Sequence, residues 1–295
     1  MPDIITLRAG ALRLDLAPQV GGAIARFDAG GQPVMRPAPA DLDDPLAASC
    51  FPLAPFSNRV RDGRFAFRGR AVQLDANMPG QAHPLHGQVW RSAWTAVRQA
   101  DRSATLDCLY EPGDWPWAYT ARQVFDLDEA GLTVTLSVTN RSLEPMPCGL
   151  GLHPYFPCTA QTQLDALVEG VWTIDAEVMP VARQAASGRY CLRERRICGA
   201  DLDNGYDGWS GGARICWPER SLELTLAADA GFFQVYAPSA GALFVAEGVT
   251  HANAALNLPE DQWGAAGLTV LEPGGTQQLI TRFDVRTLSS DREHR

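Results

Sequence analysis

Four segments hold residue types that could do chemistry. They are Phe51 to Phe65 (FPLAPFSNRVRDGRF), His83 to Trp90 (HPLHGQVW), Gly149 to Phe156 (GLGLHPYF) and Leu243 to His251 (LFVAEGVTH). Three of the five histidines, His83, His86 and His153, fall in the second and third. Histidine titrates nearest neutrality, so it can give and take protons at working pH. In both segments it stands beside Gly or Pro and close to an aromatic. Rings next to polar groups suit a pyranose, which presents apolar C–H faces and hydroxyl edges.

The elements that must position these residues read as strands. Leu132 to Thr139 and Ser221 to Ala227 alternate apolar and polar residues, and Ala104 to Tyr110, Tyr119 to Leu127 and Ala213 to Trp217 fit the same scheme. Phe232 to Ala237 and Leu268 to Leu271 are apolar or β-branched. Side chains at i and i+2 share one strand face, so this period predicts sheets with one packed face. Turn signals such as Asp62-Gly63, Arg68-Gly69, Asp229-Ala-Gly231 and Pro273-Gly274-Gly275 separate the runs. Many short, punctuated strands predict an all-β sandwich or barrel rather than βαβ units. Asp41 to Ala48 is the one stretch that suggests a turn of helix. No linker or repeat is evident, so residues 1–288 read as one β-sandwich domain followed by a polar tail at 289–295.

Bulk properties exclude several function classes. The 295 residues are 46% hydrophobic, enough for a full core, and 20% charged, the usual share for a globular protein. The net charge of −9 argues against a broad nucleic-acid surface. No lysine occurs; all 25 basic side chains are arginine. Lysine imines, lysine-anchored pyridoxal phosphate and P-loop nucleotide binding are therefore excluded. Seven cysteines, at 50, 108, 148, 158, 191, 198 and 216, include no CxxC pair, which leaves free, mostly buried thiols in a reducing compartment as the expectation. No basic leader or apolar run of about 18–20 residues is visible. The chain is expected to be cytoplasmic, without a membrane partner.

Taken together, "PFSNRVRDGRF", "HPLHG…W", "HPYF" and "LFVAEGVTHANAALN" resemble the aldose 1-epimerase (galactose mutarotase-like) family in order and spacing, over nearly the whole chain. The resemblance implies a large antiparallel β-sandwich with a shallow, sugar-sized cleft. It implies that Asn58 and Arg59 bind sugar hydroxyls, that His86 matches the His-Gly histidine, and that Asp203 in Leu202-Asp203-Asn204 binds hydroxyls. It implies His153 as general acid and Glu247 as general base.

These residue types suit interconversion of anomers. Opening a cyclic hemiacetal takes one proton from the anomeric hydroxyl and gives one to the ring oxygen. A positioned acid and base each contribute about 10²–10⁴-fold. No metal, nucleotide or other cofactor is required. Glu247 is expected at a strand end, ionised opposite a protonated His153. Glu272, in Leu271-Glu272-Pro273, competes for the role of base, but the Thr-His-Ala-Asn run after Glu247 fits the catalytic segment better. Glu247 is followed by Gly where the family often has Pro or Thr-Gln, which is expected to loosen the backbone. His83 either supports His86 or caps a turn; His251 is a further candidate by its nearness to Glu247. Trp115, Trp117 and Trp209 are core residues or a sugar platform. Arg59, Arg61 and Arg64 cluster, and two facing the cleft would favour a sugar phosphate. A hexose-6-phosphate epimerase, a non-catalytic carbohydrate-binding protein and a glycosidase or lyase with paired carboxylates remain alternatives.

Overall fold

The alternating runs become the strands of two large sheets. In the computed structural model, which describes residues 3–288, Tyr119–Leu127 pairs antiparallel with Gly131–Asn140, and buried residues alternate with more exposed ones along both. The tail expected at 289–295 lies outside the described residues.

These two strands lie inside a nine-stranded antiparallel sheet. Its order is Arg195–Arg196, Gln163–Ala166, Gly212–Trp217, Leu222–Ala228, Thr276–Thr287, Gly131–Asn140, Tyr119–Leu127, Ser103–Tyr110, Thr95–Gln99. One face buries Phe125, Leu136, Leu224 and Phe283. The other carries cross-strand ion pairs such as Arg122 with Asp107, whose two bonds are both 2.7 Å.

The second sheet has eight strands. Pro180–Ala185, Gly170–Ile174, Leu202–Asp207, Phe232–Ala237, Leu243–Val249, Gly151–Leu152 and Pro52–Leu53 follow in order, and Tyr155–Pro157 also pairs with Leu243–Val249. Phe233, Phe244, Ala246 and Tyr206 from this sheet join one apolar cluster with the inner face of the first, giving a large antiparallel β-sandwich. A four-stranded sheet spans residues 5–33. No α-helix occurs among the described residues; the Asp41 to Ala48 expectation shrinks to the 3-10 turn Pro45–Ala47, capped by Asp44.

Almost all of the seven-residue strand Leu243–Val249 is buried. Phe244, Ala246 and Gly248 face the sandwich core, while Val245, Glu247 and Val249 face the opposite side. Glu247 is therefore interior to a strand, which corrects the expectation that it emerges at an end. Gly248 is set by close approach rather than looseness: a Cβ there would stand 2.7 Å from the Trp209 ring, which stacks on Phe233 at 4.7 Å. Trp115, Trp117 and Trp209 are all core residues.

The cysteine expectation needs one correction. Cys50, Cys108 and Cys148 are buried thiols, but Cys158 and Cys198 form a disulfide with Cα atoms 5.6 Å apart. They lie 40 residues apart in sequence, a spacing that forms no motif. Sheet pairing brings the end of Tyr155–Pro157 close to the turn before Leu202–Asp207.

Candidate active site

Register places the candidate side chains on one face. Gln234 pairs with Glu247, and Tyr236 pairs with both Asp203 and Val245. Across the other edge of Leu243–Val249, Gly151 pairs with Val249 and Tyr155 with Val245, which brackets His153 opposite Glu247. With a side-chain period of two, Asp203, Gln234, Tyr236, Glu247, His153 and Tyr155 all point the same way. That face is the floor of a cleft of about 510 Å³.

Loops form the walls. Asn58 and Arg59 enter from one side, Gln81 and His86 from the next, and Glu177 and Val178 from the turn beyond Gly170–Ile174. All six site residues expected from the sequence (Asn58, Arg59, His86, His153, Asp203 and Glu247) line this cleft. Gln81, Gln234, Tyr236, Tyr155 and Phe51 line it too and were not expected. Glu272 is exposed and faces Arg68 at 3.4 Å, on another surface.

Arg59 is held in a polar frame. Its guanidinium donates to Asn58 Oδ1 at 3.1 Å and to Gln81 Oε1 at 3.2 Å, and stands 4.0 Å from Asp203. Asp203 accepts from the Gln234 amide at 3.1 Å. Burial raises the Asp203 carboxyl, and Arg59 and Gln234 oppose that shift. Arg61 and Arg64 do not line the cleft: Arg61 lies 3.8 Å from Asp175, and Arg64 donates to Gln73.

Asn58 and His86 fix each other. The His86 amide donates to Asn58 O at 2.9 Å, and the Asn58 amide donates to His86 Nδ1 at 3.1 Å. Both residues take left-handed backbone, φ 59° and 65°. Asparagine adopts this region more readily than most residues. Because Nδ1 accepts, His86 is a neutral ring with its proton on Nε2. Burial, His153 and Arg59 all push it away from the charged form.

His153 is different. It stacks on Phe51 at 4.6 Å between ring centroids, meets the His86 ring edge-on at 5.3 Å, and stands with Nε2 3.7 Å from Glu247 Oε1. Tyr155 beside it covers the Arg36 guanidinium at 3.8 Å. Its Nε2 faces Glu247, while its Nδ1 is buried without a hydrogen-bond partner among the described residues.

Burial is the largest influence on the pair. It raises Glu247 well above the ordinary carboxyl range, helped by Asp203, and lowers His153 to about 3. Burial thus pushes both groups toward their neutral forms and works against the standing carboxylate–imidazolium pair expected from the sequence.

Comparison with known proteins places the chain in a family. The model of the family described as aldose 1-epimerase matches residues 3–284. This chain belongs to the aldose 1-epimerase family. The uncharacterized Escherichia coli (strain K12) protein YphB is 36% identical over 291 residues, covering 92% of this chain and 94% of its own. A crystal structure from Escherichia coli K12, of a candidate aldose 1-epimerase, superposes with a TM-score of 0.89 at 32% identity, covering 97% of this chain and 99% of that one. A galactose mutarotase-like protein from Clostridium acetobutylicum shares the fold, with a TM-score of 0.87 at 17% identity over 97% and 95% of the two chains. No helix among the described residues of this family member is long and apolar enough to cross a membrane.

Proposed function

We propose that this protein is an aldose 1-epimerase acting on uncharged monosaccharides, with Glu247 and His153 exchanging the two protons of ring opening and closure. The observation that carries the reading is the 3.7 Å separation of His153 Nε2 and Glu247 Oε1 on the cleft floor. The ring oxygen and anomeric hydroxyl of a hemiacetal share one carbon, so their acid and base must also stand side by side.

The proton balance assigns the roles. With a cyclic sugar between them, the anomeric hydroxyl donates to Glu247 and the ring oxygen accepts from His153, which favours carboxylate and imidazolium. Ring opening moves the hydroxyl proton to Glu247 and the His153 proton to the ring oxygen, as the C1–ring oxygen bond breaks. The open aldehyde then coexists with a carboxylic acid and a neutral imidazole. Burial favours that neutral pair, so the site stabilises the open-chain state. The opposite assignment would create two buried ions just as the ring opens. After rotation about C1–C2, the reverse transfers close the ring on the other face and restore both residues. Arg59, Asp203, His86 Nε2–H and Asn58 supply donors and acceptors for the remaining hydroxyls.

The charge of the cleft supports a free aldose over a phosphorylated one. Glu177 and Asp203 line it beside Arg59, the one cation among its lining residues. A phosphate group needs clustered arginines.

Polarimetry of freshly dissolved α-glucose and α-galactose, and of their 6-phosphates, tests the proposal. The expected result is faster approach to rotational equilibrium for at least one free sugar. Rates unchanged for all of them would overturn it.

A further inference from the structure

Six consecutive backbone N–H groups around Arg59 are satisfied in an unusual way. Those of Asn58, Val60 and Asp62 turn to one side and donate to His86 Nδ1, Pro84 O and His83 Nδ1 at 3.1, 3.2 and 3.0 Å. Those of Ser57, Arg59 and Arg61 turn to the other and donate to His251 Nε2, Asn253 Oδ1 and Asn257 Oδ1 at 2.9, 3.1 and 2.7 Å. The amides thus alternate in direction as along a strand, but at five of the six positions a side chain stands where a neighbouring strand would place a carbonyl.

The second side comes from the residues just after the catalytic strand Leu243–Val249. His251 is buried, and its other nitrogen lies 2.7 Å from Ala252 O. Accepting at Nε2 and donating at Nδ1 fixes one neutral tautomer. The Asn253 amide also donates to Val178 O at 3.0 Å, so one side chain joins the Arg59 wall to the Val178 wall.

We propose that His251 and Asn253 are positioning residues: they set the place of Arg59 relative to Glu247 by holding alternate amides of its loop. This rests on the epimerase reading for its kinetic consequence, but not for its structural one. Arg59 touches hydroxyls that take no part in bond breaking, so its displacement removes binding shared by the ground and transition states. Such a loss raises KM and leaves kcat nearly unchanged.

The test pairs kinetics with hydrogen exchange on the full chain. Glutamine presents its oxygen near the position of Nε2, whereas asparagine is too short to reach Ser57. His251→Asn and Asn253→Ala are expected to raise KM about tenfold, the equivalent of one lost hydrogen bond, with kcat within about twofold. His251→Gln should restore most of the loss. Mass-spectrometric exchange without sugar should show faster exchange at residues 57–62 in the two damaged variants. Asn253→Asp, which keeps the acceptor for the Arg59 amide, covers the case in which Asn253→Ala fails to fold, and should keep the protection at Arg59. Unchanged exchange at 57–62, or a fall in kcat at constant KM, would overturn the proposal. A wild-type protein inactive on every aldose would sink the epimerase reading alone, and the exchange data would still decide the positioning role.

Discussion

His153 Nε2 stands 3.7 Å from Glu247 Oε1, and both side chains are buried on the same sheet face. Burial drives both groups toward neutrality, so in the proposed mechanism the protonation of Glu247 bears on activity as well as stability. Glu247→Gln removes the carboxyl but keeps its shape. Turnover should fall by at least the roughly 10²–10⁴-fold of a lost base. Stability should move the other way. The folded-state pKa of Glu247 is raised, so above the unfolded value the native protein holds a proton the unfolded chain releases, and stability is lost as pH rises. Thermal melts should therefore show Glu247→Gln more stable than wild type at pH 8, with the gain disappearing below about pH 4, near the unfolded carboxyl pKa.

The rate should depend on pH through these two groups. His153 gains a proton only near its lowered value of about 3, whereas Glu247 loses its own on the alkaline side, at its raised value. After subtraction of the uncatalysed rate, kcat/KM should be flat through the acidic range and fall toward high pH. An acid limb near the ordinary histidine value would contradict the lowering of His153.

Asp203 is held between the Gln234 amide and Arg59. Asp203→Asn keeps the shape and removes the charge that Arg59 and a sugar hydroxyl both use. Charge-assisted hydrogen bonds are worth about 1.5–3 kcal/mol, so kcat/KM should drop about 10–100-fold, read by polarimetry or a coupled β-glucose assay.

Glu177 lines the cleft and also stands 3.3 Å from His83 Nε2. Wild-type enzyme should prefer glucose to glucose 6-phosphate in kcat/KM. Glu177→Lys should narrow that preference by replacing a like charge with an opposite one. An unchanged ratio would mean that the phosphate end does not reach this wall.

Gly149 packs on His251 so closely that a Cβ would lie 1.9 Å from its Cδ2 atom. Gly149→Ala should cost about 1–3 kcal/mol in urea unfolding, as for other overpacked sites. Because the His251 ring must shift, the variant should also raise KM.

The strands were legible in the sequence wherever one face is packed. Tyr119 to Leu127 coincides with an observed strand, since its alternation records a single buried side. Leu243–Val249 hid its length because both faces are buried and the apolar run masks the period; Glu247 there looked like an end rather than an interior position. The six expected site residues meet in one cleft, and it was their motifs that made them visible. Gln81, Gln234 and Tyr236 carried no comparable signal. Gln234 becomes a cleft residue through its pairing with Glu247, and pairing between distant strands is not written locally. His83 and His251 were ambiguous for a related reason. Their work is to accept from backbone amides far away in sequence, and a ring's partner cannot be read from its neighbours.

The close approach of Trp209 to Gly248 bears on any attempt to redesign the proposed epimerase for another sugar. The position beside the base tolerates no side chain, and Glu247 itself is embedded in packed backbone, so the reactive floor offers no freedom for engineering. Gln81 and Glu177, on the walls, can be exchanged without disturbing that floor. Libraries aimed at hydroxyl selectivity belong at those two wall positions.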